Sequence, residues 1–233
     1  MYSLRTIRPR RFLASMFTAV LLCTIAASEA RAVPLDKLTG GGVIVAGNVV
    51  FSHFQAPSFV GMGPSAVDVQ GIVLTDNTGA QTGASLRFTP VDGKGINPLV
   101  QCATCGGSKE IVMNAIFQVN VTDGAHLLNG MAHQMLAAST GANALIYNST
   151  LSSFVSLAAV WATTPPLSGI LVGCMGSCTG INPTADFTPL SSYSTYAFVN
   201  EQVQLLVSGK KGQSTGRNEL AYYDVVFTEV PAL

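Results

Sequence analysis

The chain has 233 residues, of which 48% are hydrophobic and 10% charged, and its twelve basic residues balance twelve acidic ones. That balance averages two unlike parts. The first 32 residues hold five basic side chains (Arg5, Arg8, Arg10, Arg11, Arg31) and one acid, Glu29, so residues 33–233 keep seven basic against eleven acidic, a net charge of −4. Such a surface repels phosphate and so argues against nucleic acids and anionic membrane surfaces as partners.

In chain order, the first predicted element is a secretory signal peptide over residues 1–32. Four arginines precede an apolar run from Phe12 to Ala27, and Ala30-Arg31-Ala32 supplies the small residues that a signal peptidase requires, which places the mature start at Val33. A run of sixteen residues falls short of the roughly twenty needed for a spanning helix, so cleavage is expected rather than anchoring. Cys23 lies inside the apolar run after Leu22 and lacks the setting of a lipid-modified cysteine. Arg10-Arg11-Phe12-Leu13 lacks the spacer residue of a twin-arginine signal, so the general secretory route is favoured. The expected location is the periplasm, the cell surface or the medium. No later apolar run is long enough to cross a membrane as a helix.

Residues 33–233 are read as a single all-β domain. Short β-branched and aromatic runs are cut by Gly, Asn, Asp and Pro, the pattern of strands joined by turns. Val43-Ile44-Val45 and Val49-Val50-Phe51 flank Ala46-Gly47-Asn48 as a tight hairpin. Ala66 to Leu74 and Ala84 to Phe88 bracket the turn Asp76-Asn77-Thr78-Gly79. From Val112 to Thr122, Met113, Ala115, Phe117, Val119 and Val121 share one face, while Asn114, Ile116, Gln118, Asn120 and Thr122 share the other. Leu127 to Ala138 carries helix-forming residues, but Gly130 tips it to strand. Phe154 to Trp161, Tyr196 to Val199, Val203 to Ser208 and Leu220 to Phe227 complete roughly ten to twelve strands, expected to form an antiparallel β-sandwich or jelly roll.

Two Gly- and Pro-rich loops, Asp92 to Lys109 and Thr163 to Asp186, interrupt this rhythm. Each carries a cysteine pair and a copy of Gly-Ile-Asn-Pro. Reuse of a good turn sequence accounts for the tetrapeptide; the sharper alternative is a matched surface formed by both loops at one end of the sandwich. Cys102, Cys105, Cys174 and Cys178 are expected to form disulfides, with local pairing first among the three possible connectivities. Zinc is disfavoured, because the second pair has a different spacing and lies far along the chain. Calcium is conceivable at Asp76 to Gly79 or Asp92 to Gly95, yet neither has the alternating acids of an EF-hand loop. The expectation is therefore no cofactor.

No catalytic residue is assigned. His53, His126 and His133 have no metal-ligand spacing, no serine lies in a Gly-x-Ser-x-Gly setting, and no glutamates are paired in sequence. A hydrolase built from Asp123, His126 and His133 is the third-ranked reading. For sugar binding, which needs rings with polar neighbours, the candidates are Tyr147, Trp161, Tyr193, Tyr196, Tyr222 and Tyr223. Trp161, at the end of an apolar run, is assigned to the core ahead of a binding role.

The closing run Tyr196-Ala197-Phe198-Val199-Asn200-Glu201-Gln202-Val203-Gln204-Leu205-Leu206-Val207, followed by Ala221-Tyr222-Tyr223-Asp224-Val225-Val226-Phe227-Thr228-Glu229-Val230-Pro231, resembles the ending of exported bacterial PEP-CTERM proteins, the targets of exosortases. Gly40-Gly41-Gly42, Phe51 to Phe54 and Phe117 to Asp123 fit the same group. In that family the last strand leads into a Pro-Glu-Pro sorting signal, which does not follow Val230-Pro231-Ala232-Leu233 here; release is expected rather than surface sorting. The resemblance implies association with extracellular polysaccharide or matrix proteins and transfers no catalytic residue. The leading expectation is a secreted, non-enzymatic structural or interaction protein of the envelope or biofilm matrix. A lectin-like module comes second, and the sequence leaves oligomeric state open.

Overall fold

The computed structural model describes residues 31–91, 99–102, 107–141, 146–156, 181–209 and 216–232. They form two antiparallel sheets. The strands are β1 Val33–Pro34, β2 Ile44–Ala46, β3 Val49–Val60, β4 Val67–Thr75, β5 Gln81–Pro90, β6 Leu99–Cys102, β7 Gly107–Val121, β8 His126–Gly141, β9 Ile146–Ser156, β10 Ile181–Ser194, β11 Tyr196–Gly209 and β12 Gly216–Pro231, with a short helix α1 at Leu35–Leu38. A seven-stranded sheet runs β1-β4-β5-β12-β8-β10, with β6 also paired to β12, and a five-stranded sheet runs β2-β3-β7-β11-β9.

Period two explains why these segments become strands and why the sheets stack. Alternate residues of β7 (Met113, Ala115, Phe117, Val119) and β11 (Ala197, Val199, Val203, Leu205) are buried, and so are Leu86 and Phe88 of β5 and Tyr223, Val225 and Phe227 of β12. Phe117 sits at the centre: its ring meets Phe51 and Phe54 of its own sheet and Phe88 and Phe227 of the other, with centroids 5.8–6.3 Å apart. Edge-on and tilted ring contacts of this kind add to the burial of the rings themselves. Leu35 and Leu38 of α1 join the same cluster.

The first hairpin forms as its sequence predicts. Ala46 pairs with Val49 across Gly47-Asn48, and Gly47 takes φ 64°, a conformation that glycine adopts without steric cost. The β4–β5 pair also falls where expected, β7 and β8 flank the Asp123-Gly124 turn but lie in different sheets, and Leu127 to Ala138 is strand rather than helix, with Leu128, Met131 and His133 buried.

Three expectations are corrected. The loop Asp92 to Lys109 contains β6 and the start of β7, and the last part of Thr163 to Asp186 belongs to β10. Within β10, Asn182 and Pro183 of the second Gly-Ile-Asn-Pro lie opposite Ala137 and Leu136. Proline reads as a breaker, but at the margin of a sheet the missing N–H need not face a neighbour; among the described residues β10 pairs with β8 alone. Tyr196 to Val199 and Val203 to Ser208 are one strand, because Asn200-Glu201-Gln202 keeps the alternation and Glu201 points inward.

The described residues bordering the two cysteine-bearing loops share one end of the sandwich. Cys102 stands level with Gly216, Gly216 with Gly141, and Ile181 with Ala138. The Gly47-Asn48 turn and the β7–β8 turn occupy the other end.

Candidate functional site

Once the inward positions of β7 and β11 are buried, their alternates must face outward, and in this chain six of those alternates are amides, set among Ile116, Val112 and Glu110 on β7 and Tyr196 and Phe198 on β11. Asn114, Gln118 and Asn120 of β7 and Asn200, Gln202 and Gln204 of β11 stand on the outer face of the five-stranded sheet, all partly or fully exposed. Four of them bond in pairs, Asn114 Nδ2 donating to Asn200 Oδ1 at 3.0 Å and Gln118 Nε2 to Asn120 Oδ1 at 3.0 Å, while Gln204 Nε2 donates to the Glu110 carboxylate at 2.9 Å at the far end of the face. Tyr196 and Phe198 close one end of the lattice as an edge-to-face pair with centroids 6.0 Å apart. At the rim, a bulge in β3 sets the exposed His53 at φ 55° with its Nδ1 3.0 Å from Ser52 Oγ. It is the one non-glycine residue at positive φ among the described residues.

A second polar group occupies the hairpin end and joins the two sheets. Asn48 Nδ2 donates both to Asp123 Oδ2 at 2.8 Å and to Glu229 Oε2 at 2.7 Å. Gln81 Oε1 accepts the Asn48 N–H at 3.2 Å, and Gln81 Nε2 contacts Asn48 Oδ1. Asp123 Oδ1 accepts the N–H groups of Ala125 and His126, and its Oδ2 lies 2.6 Å from His126 Nδ1. Hydrogen bonds from Asn48 and then His126 hold the Asp123 carboxyl well below the usual range, whereas burial pushes Glu229 up against the pull of Asn48. Two carboxyls driven apart in this way are a known requirement of acid–base chemistry. Here both oxygens of Asp123 serve the turn.

His133 stands elsewhere. It is fully buried between the sheets, its Nε2 3.4 Å from Glu201 Oε1, so the fold does not bring it to Asp123 and His126. Among the sugar-binding candidates, Tyr223 is 1% exposed and stacked on Phe88 at 4.6 Å, which makes it a core residue with no open ring face. Tyr222 lies under the Arg87 guanidinium, 3.9 Å from its carbon to the ring centroid, and Arg87 in turn grips Asp224 with two bonds of 2.8 and 2.7 Å. Tyr193 is 62% exposed at the end of β10, and Tyr196 flanks the amide lattice. Tyr147 lies on β9 opposite Val207. Trp161, Cys105, Cys174 and Cys178 lie outside the described residues, and Cys102 ends β6. The amide lattice escaped the residue-by-residue reading, although its signal was present as a second alternation within the same two runs that announced the core.

Of the calcium candidates, Asp76 caps its own turn through Thr78 and Ala80, and those bonds lower its pKa; residues 92–95 lie outside the described residues. No group of three or more His, Cys, Asp or Glu side chains is placed to hold a metal among the described residues. No helix among the described residues is long and apolar enough to cross a membrane. A scan against protein-family models matches none, and a search of curated proteins finds no significant match.

Proposed function

We propose that this chain is an exported, non-enzymatic interaction protein of a bacterial envelope or extracellular matrix. The observation that carries the reading is the outer face of the five-stranded sheet, where a lattice of amides, with a ring pair at one end and the Glu110 carboxylate at the other, offers many hydrogen bonds and little charge steering. The polar groups that a hydrolase would recruit are engaged in the fold: Asp123 in a turn, His133 and Glu201 between the sheets. The leader sequence and the likeness of the last strands to exosortase targets point the same way. Carbohydrate binding is the second reading, favoured by Tyr193 and Tyr196, which keep accessible rings.

The test uses the full chain, expressed with its leader and recovered after export. Co-sedimentation with the producing cell's matrix, without release of reducing ends or hydrolysis of ester substrates, is the expected result. Turnover that disappears in Asp123→Asn or His126→Ala would reject the proposal in favour of an enzyme.

A further inference from the structure

The chemistry of the amide face narrows what it can hold. Among the described residues, no Lys, Arg, Asp or Glu stands on its outer positions from the Ser52–Gln118–Phe198 row to the Val60–Val112–Gln204 row. An anionic or cationic polymer would leave its charges uncompensated there. Amides are the commonest side chains in these rows, with Ile116, Val112, Val60 and Phe198 scattered among them rather than clustered as in the apolar core of a protein interface.

Hydroxyl groups fit. Each side-chain amide has two donors and two acceptor lone pairs, and the amide–amide bonds of the lattice engage only one donor or one acceptor of each partner. Gln202, exposed on β11 opposite Asn114, is the amide of these rows most open to a ligand. Adjacent strands stand about 4.8 Å apart, a spacing comparable with one pyranose ring, so a polymer lying across β7 and β11 would meet an amide with successive sugars. Tyr196 and Phe198 supply an apolar platform for the C–H face of a ring at the end of that track.

We infer that the outer face of the five-stranded sheet docks an extended, uncharged polysaccharide through Asn114, Gln118, Asn200 and Gln202, with Tyr196 and Phe198 as its stacking end. This rests on the proposed non-enzymatic interaction role and names its partner class.

The experiment is affinity electrophoresis of the exported protein in gels containing a neutral β-glucan, a galactomannan or dextran, with alginate as the anionic comparison. Retardation by at least one neutral polymer is expected, weakened at least tenfold by Gln202→Glu and by Phe198→Ala and unaltered by Lys37→Ala on α1, a side chain 74% exposed. Thermal unfolding of each variant shows that it remains folded. No retardation by any neutral polymer, retardation by alginate alone, or equal retardation of the Gln202→Glu and Phe198→Ala variants would overturn the inference. Retention in the native matrix alongside any of those results would leave the broader role standing. Release of reducing ends from a gel polymer would instead remove that role.

Discussion

The two outer faces of this sandwich solve the same problem with opposite chemistry. Their inner faces are alike, mainly apolar and interlocked through Phe117, with His133 and Glu201 buried between them. On the seven-stranded sheet the outward alternates include Arg87 and Asp224, directly opposite in register and joined by a bidentate ion pair that leaves the Asp224 side chain 6% exposed. On the five-stranded sheet the central outward positions are mainly neutral amides, several of them bonded to each other. A buried ion pair fixes one geometry and penalises loss of either partner. Amides can exchange partners at little cost, which suits the docking surface inferred above. The difference teaches that one outer face is committed to the fold while the other is available.

The largest expected effect lies between the faces. Phe117→Ala should cost about 3–5 kcal/mol in urea unfolding, because the void would open among four rings. Next, Arg87→Met should cost about 3 kcal/mol at neutral pH by leaving Asp224 buried and unpaired. Burial already pushes the Asp224 carboxyl above its ordinary value, with the Arg87 contacts opposing, so the deficit should shrink as acid protonates Asp224. A deficit independent of pH would break the contrast between the committed face and the open one.

The hairpin end sharpens the comparison, since it joins both sheets. Asn48→Ala removes the donor shared by Asp123 and Glu229 and should cost about 1 kcal/mol, read from the shift in denaturation midpoint. The two acids should then respond to pH with opposite sign. Asp123 has its pKa lowered in the fold from 3.8, so its stabilisation is whole at neutral pH, declines as pH falls below 3.8 and vanishes below the folded-state value. The Tm deficit of Asp123→Asn should follow that course. Glu229 has its pKa raised from 4.5, so ionisation opposes folding at neutral pH and the penalty disappears below 4.5. Glu229→Gln should therefore raise Tm slightly at pH 7 and not at pH 3. The smallest effect is expected on the amide face: Gln202→Ala should change stability by less than about 0.5 kcal/mol while weakening polysaccharide retention.

Much of the fold was legible because core burial and strand period coincide. The run Val112 to Thr122 announced both its buried and its polar side, and the Gly47-Asn48 turn announced its own geometry. Strand β10 was hidden by Pro183 and Pro189, whose meaning depends on standing at a sheet margin, a fact of topology rather than of local sequence. Tyr223 read as a polar ring available for sugar because its alternation with Tyr222 was not assigned to faces until β5 and β8 flanked it. The Asn48–Asp123–Glu229 group joins residues 75 and 181 positions apart in sequence and left no local trace.

Strand β12 lies between partners that come much earlier in the chain: β5 and β6 on one side, β8 on the other. The seven-stranded sheet therefore cannot close until residues 216–231 have left the ribosome. Until then β5 and β8 lack the strand that joins them, and the chain must wait as an open, non-local ensemble, the class of topology that folds slowly. Under the export proposed above, late closure is an advantage in timing: the strand that locks β5 to β8 emerges after both.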